Sequence, residues 1–125
     1  MKTVNTDKAP AAIGPYSQAI ISGGLVFTSG QIPVDPATGA VAGETIVEQA
    51  KQVMANLQVV LAAAGTTPER AVKTTCFLAD MAGFAAFNEI YAQTFTSKPA
   101  RSCVAVRTLP KGVLCEVEVI AEVED

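Results

Sequence analysis

Short runs of apolar and β-branched residues lie toward both ends of the chain, and between them apolar positions recur at helical intervals. Ala19 to Ser22, Gly23-Gly24 and Leu25 to Ser29 read as strand, turn and strand, which predicts a hairpin. Pro33, Pro36, Gly39 and Gly43 break up the segment from Gly30 to Gly43, so a loop of tight turns is expected there, with room for a short strand but no helix. Thr45 and Glu48 match a capping box. Ile46, Ala50, Val53, Leu57, Val60, Leu61 and Ala64 then share one helical face until Gly65 ends the run. Thr67-Pro68-Glu69 suits a single capped turn, and Val72 to Leu78 reads as a strand. Asp80 is placed to cap a second helix ending near Phe95, with Met81, Phe84, Phe87, Asn88, Tyr91 and Phe95 along one face. Ser102 to Val106 and Val113 to Val123 are strands joined through Leu109-Pro110-Lys111-Gly112. In the last strand Val113, Cys115, Val117, Val119 and Val123 point one way, toward the helices. Leu114, Glu116, Glu118, Ile120 and Glu122 point the other way. The pattern predicts an α+β fold in which two helices cover one face of a mixed sheet.

A length of 125 residues suits a single domain, residues 1–125, with one core. Half of the residues are apolar and 17% are charged, a surplus of core material that suggests a subunit interface. The net charge is −3 and the lysines and arginines form no run, which argues against nucleic acid as a partner. The apolar stretches fall short of the roughly 20 residues that span a bilayer, and the N-terminus lacks the apolar region of a signal peptide. No membrane association and a cytoplasmic location are therefore expected. Cys76, Cys103 and Cys115 include no Cys-x-x-Cys pair, and there is no histidine. A disulfide scaffold, a zinc site and any Ser-His-Asp or Cys-His arrangement are thereby disfavoured. Carboxylates, tyrosine, lysine, arginine, water and backbone groups remain as the chemistry-bearing candidates.

Arg101 opens a strand after Pro99-Ala100, where its planar fork can take a carboxylate with two hydrogen bonds, although on the residues alone a solvated strand end suits it better. Glu116 can orient a water or accept its proton, or form part of a solvated acidic stripe with Glu118 and Glu122. Gly14-Pro15-Tyr16 can present a phenol to a pocket or to a core, and Ser29-Gly30-Gln31 can expose backbone N–H groups to an anion or merely end a strand. Cys103 has no neighbouring base to make its thiolate, which favours a packed thiol. Lys73 and Lys111 read as surface charges.

Four segments carry a resemblance: Ala11-Ala12-Ile13-Gly14-Pro15-Tyr16-Ser17-Gln18, Thr28-Ser29-Gly30-Gln31-Ile32-Pro33, Pro99-Ala100-Arg101-Ser102, and Leu109-Pro110-Lys111-Gly112 followed by Glu116-Val117-Glu118. In this order and spacing the chain resembles the RidA family (also called YjgF). The resemblance implies a fold like that of the bacterial chorismate mutases, a homotrimer with its sheets facing inward, and sites at the subunit clefts. It implies hydrolysis of 2-imino and enamine acids such as 2-iminopropanoate and 2-iminobutanoate to 2-oxo acids and ammonia, without metal or cofactor. In that pattern Arg101 holds the substrate carboxylate, backbone at Gly30 and Cys103 adds hydrogen bonds, and Glu116 positions the hydrolytic water. Tyr16, Ser29 and Asn88 match further substrate-binding positions. A carboxylate-binding module without turnover, or a chaperone-like protein, is the alternative. The connection between Tyr91 and Arg101 is about a residue shorter than in the family pattern, which alters the rim of the expected cleft.

Overall fold

The fold is that of a computed structural model, which describes residues 1–124. A six-stranded sheet runs in the order β1-β2-β3-β6-β4-β5. β1 (Lys2–Val4) pairs with β2 (Ala19–Ser22), which forms the expected hairpin with β3 (Leu25–Thr28). Gly23 and Gly24 make that turn at φ of 62° and 78°, left-handed values that cost a glycine little. The loop after β3 carries two isolated bridges, Gln31 with Val117 and Val34 with Val41.

The first helix, α1 (Ile46–Ala63), starts at the expected capping box: Thr45 accepts from the Glu48 N–H and Glu48 reaches back to the Thr45 backbone. Its buried face includes Val53, Leu57, Val60 and Leu61, and also Gln49 and Asn56, two polar residues that an apolar pattern does not foresee. Pro68–Arg70 forms a single 3-10 turn before β4 (Ala71–Leu78). Asp80 caps as expected, accepting from the Ala82 N–H, but it caps a 3-10 turn at Met81–Gly83. The second helix, α2, begins after that turn and spans Phe84–Thr94. Met81 consequently lies outside the core, while Phe87, Tyr91 and Phe95 are buried in it.

The connectivity departs from the sequence pattern at one point. β5 (Ala100–Ala105) and β6 (Cys115–Glu122) are consecutive and joined by the Pro-Gly turn, yet they do not pair. β4 lies between them, antiparallel to β6 and parallel to β5. The physical reason is the crossover: β4, α2 and β5 form a β-α-β unit, whose parallel strands need a helix-length connection. β5 is therefore one edge of the sheet, and β1 the other. In β6, Cys115, Val117, Val119 and Ala121 are buried against the helices as the alternation predicts. The other face of the sheet is uncovered in the single chain and carries Phe27 and Val104 exposed, with Leu25, Phe77 and Ile120 half-buried.

Candidate functional site

Arg101 lies on the helix-covered face of β5, in register with buried Thr74 of β4. Its guanidinium carbon is 4.7 Å from the centre of the Tyr91 ring and 5.5 Å from that of Phe84, both on α2. Nη1 donates to Asn88 Oδ1 at 2.7 Å. The Tyr91 ring is fixed in turn, stacked on Phe95 at 4.8 Å and joined through its hydroxyl to Thr74 Oγ1 at 2.7 Å. Burial raises the Tyr91 pKa above the ordinary phenol range, so it stays neutral. The guanidinium is thus oriented by two rings and one amide, and it pairs with no carboxylate among the described residues. It borders a cavity of about 310 Å³ lined also by Asn88, Tyr91, Lys98 and Pro99. Arg101 and Asn88, identified separately in the sequence, are in direct contact here. Cys103 lies further along the same face, opposite Cys76. Burial raises both thiol pKa values, that of Cys76 to about 12, which agrees with packed thiols.

A second group forms around Glu116. Residues 28 to 31 pass so close to β6 that a Cβ on Gly30 would overlap Glu116 Oε2. A larger residue there would have to displace that carboxylate. Ser29 and Gln31 do not present free donors: the Ser29 N–H goes to Gln18 O, the Ser29 hydroxyl to Ser17 O at 2.6 Å, and the Gln31 N–H to Val117 O. The Gly30 N–H alone of the three has no acceptor among the described residues. Glu116 is half-buried, and burial, then the charge of Glu118, raises its pKa above the usual carboxylate range. Gly30 also borders a cavity of about 330 Å³ lined by Ile13, Tyr16, Gln31, Ile32 and Lys111. Tyr16 is 53% exposed, so in the single chain it is neither core nor covered.

The two groups do not meet within one chain. Arg101 shares a row with Thr74 and Val119, whereas Glu116 shares a row with Phe77 and Val104. Three residues separate the rows, an odd number, so the two side chains project from opposite faces of the sheet. The structure joins Arg101 with Asn88, and Glu116 with Gly30, but not the first pair with the second.

Sequence reasoning missed the residues that hold these loops. Gln18 accepts from the Thr6 N–H and donates to Thr6 O and Pro10 O, pinning the N-terminal segment beside Tyr16. Asn56 donates to Ile32 O and Val34 O, and Gln49 bridges Gly43 O and the Leu114 N–H. A polar residue within an apolar helical face was the available signal. Among the described residues no cluster of histidine, cysteine, aspartate or glutamate suits a metal, and no helix is long and apolar enough to cross a membrane.

A family model described as endoribonuclease L-PSP matches residues 6–123. A RutC family protein of Synechocystis is 54% identical, covering 97% of this chain and 95% of the relative. A protein of Salmonella typhimurium named 2-iminobutanoate/2-iminopropanoate deaminase is 51% identical, covering 96% of each chain. Among solved structures, that of Escherichia coli TdcF with bound serine superposes with a TM-score of 0.93 at 42% identity, covering 99% of this chain and 100% of the other.

Proposed function

The chain belongs to the RidA family, and on that premise we propose that it hydrolyses 2-imino acids such as 2-iminopropanoate and 2-iminobutanoate to 2-oxo acids and ammonia. The observation that carries the proposal is Arg101, an oriented guanidinium without an acidic partner among the described residues, in a chain 51% identical to a protein named for that reaction. A planar fork held by Tyr91 and Asn88 binds a planar carboxylate through its remaining N–H groups and so sets the direction of the adjacent C=N bond.

The chemistry asks little more of the protein. A protonated imine carbon is electrophilic enough for water to add directly. Glu116 orients that water and takes its proton. Glu116 then passes that proton to the amine nitrogen of the tetrahedral intermediate and takes the proton of the new hydroxyl, so that the C–N bond breaks, ammonia leaves and the carbonyl forms. The free Gly30 N–H, beside Glu116, and backbone at Cys103 supply hydrogen bonds to the bound acid. Tyr16 closes one side of the site, and Ser29 acts through its bond to Ser17 O, which holds the Tyr16 turn.

Arg101 and Glu116 reach one substrate when the Arg101 half of one copy faces the Glu116 half of another. The uncovered apolar sheet face, with Phe27 and Val104, is the surface through which copies associate, and a homotrimer with chorismate mutase-like packing satisfies both requirements. The test generates 2-iminobutanoate in place with an amino-acid oxidase and times its loss against trapping by semicarbazide. Arg101→Ala is expected to remove nearly all turnover. Turnover equal to the parent's in that variant overturns the assignment. If 2-oxo acids bind without any imine loss, the chain is a carboxylate-binding module instead.

A further inference from the structure

Among the described residues, two other than glycine adopt left-handed backbone, Lys98 and Lys111, both at φ 57°. Lys98 is the more unusual, because it also precedes Pro99, and a residue before proline ordinarily stays extended. Strain of this kind persists where the surroundings impose it, often beside ligands. Lys98 lies on the turn between α2 and β5, its N–H bonded to Phe95 O at 3.3 Å. It lines the same cavity of about 310 Å³ as Arg101, Asn88 and Tyr91. Among the described residues the sole ion pair joins Arg70 to Glu124, so neither cation at this cavity is matched by an acid.

We infer that Lys98 is a specificity residue that recognises a second carboxylate, so that the site accepts 2-imino dicarboxylic acids. The inference deepens the proposed hydrolase reading and rests on it. One carboxylate occupies the Arg101 fork; a side-chain carboxylate on the same small molecule then falls toward the Lys98 ammonium. Two unmatched cations on one concave surface stabilise two negative charges better than one, and an exposed ammonium adds this selectivity without touching the reacting carbon. The left-handed backbone fixes the direction in which the Lys98 side chain leaves the turn, and the ring of Pro99 stiffens the entry into β5.

A matched pair of five-carbon substrates isolates the charge. 2-Iminoglutarate and 2-iminopentanoate are generated in place by oxidases from glutamate and norvaline, and kcat/KM is measured for each by semicarbazide competition. In parallel, binding of 2-oxoglutarate and 2-oxopentanoate is measured by calorimetry. The dicarboxylate-to-monocarboxylate ratio is expected to fall about tenfold in Lys98→Gln, to recover in Lys98→Arg, and to shrink as salt is raised. A ratio the same in Lys98→Gln as in the parent, with imine turnover present, overturns the inference alone. Lys98-dependent binding of 2-oxoglutarate without any imine turnover overturns the hydrolase reading alone. No Lys98 dependence in either measurement, and no turnover, overturns both.

Discussion

Two residues carry most of the chemical expectation, and each makes a distinct prediction. Lysine keeps the charge of Arg101 but has neither a planar fork nor a face to lie against Tyr91. Arg101→Lys is therefore expected to lower kcat/KM for 2-iminobutanoate roughly ten- to a hundredfold, whereas Arg107→Ala, on an exposed residue, leaves it unchanged. An Arg101→Lys enzyme as active as the parent shows that charge alone suffices. For Glu116, burial and the Glu118 charge favour the protonated form. A general base must be ionised, so the acidic limb of the kcat/KM profile should lie above the ordinary carboxylate range, with activity falling as pH drops through it. Glu118→Gln is expected to move that limb to lower pH, and Glu116→Gln to slow the reaction while removing the limb. The same shift has a sign for stability. A folded pKa above the unfolded one contributes stability that is complete below the unfolded value and lost as pH rises through the folded value. Glu116→Gln should accordingly raise the melting temperature more at pH 7.5 than at pH 4. An equal effect at both would place the carboxylate in an environment no harsher than water.

At the scale of elements, α1 does two jobs that differ in cost. Its start is held by Thr45 and Glu48 at an exposed cap, and Thr45→Ala is expected to cost about 1 kcal/mol in chemical denaturation. Its middle anchors the loop that borders the larger cavity, because Asn56, fully buried, donates to both Ile32 O and Val34 O. Asn56→Ala leaves Val34 O without a partner and Ile32 O with only the Val34 N–H, and opens a void, so a loss of about 2–4 kcal/mol is expected, clearly above that of the cap. Equal losses would mean that the loop holds its shape without α1. The cap was legible in the sequence because it is local, a matter of residues three apart. Asn56 was legible only in part: its place on the apolar face marks it as buried, but its partners lie more than twenty residues earlier and no local pattern names them.

For the whole molecule, the separation of Arg101 and Glu116 onto opposite sheet faces predicts complementation between copies. Arg101→Ala and Glu116→Gln, each impaired alone, should regain about a quarter of parental activity when unfolded and refolded together, since random mixing restores that share of two-copy interfaces. No recovery would place both residues of a site in one chain. Light scattering should give a trimer mass, and Phe27→Asp, on the uncovered face, should lower it. How much of this was written in the chain depends on the range of the forces involved. Alternation in Val113 to Val123, the helical recurrence from Ile46 to Ala64 and the capping box are short-range constraints of backbone geometry and solvent, so the sequence by itself determined five of the six strands, α1 and the buried face of β6, but neither β1, three residues that gain their extended form by pairing with β2, nor the start of α2. The family resemblance carried by Thr28-Ser29-Gly30-Gln31, Pro99-Ala100-Arg101-Ser102 and Glu116-Val117-Glu118 also marked the residues worth testing. Only the tertiary structure decided that β4 inserts between β5 and β6, that Asn88 and Tyr91 aim Arg101, and that Gly30 lies directly against the Glu116 carboxylate. These depend on which strand edges pair and which faces meet, and such contacts join residues far apart in sequence through packing that no local pattern encodes.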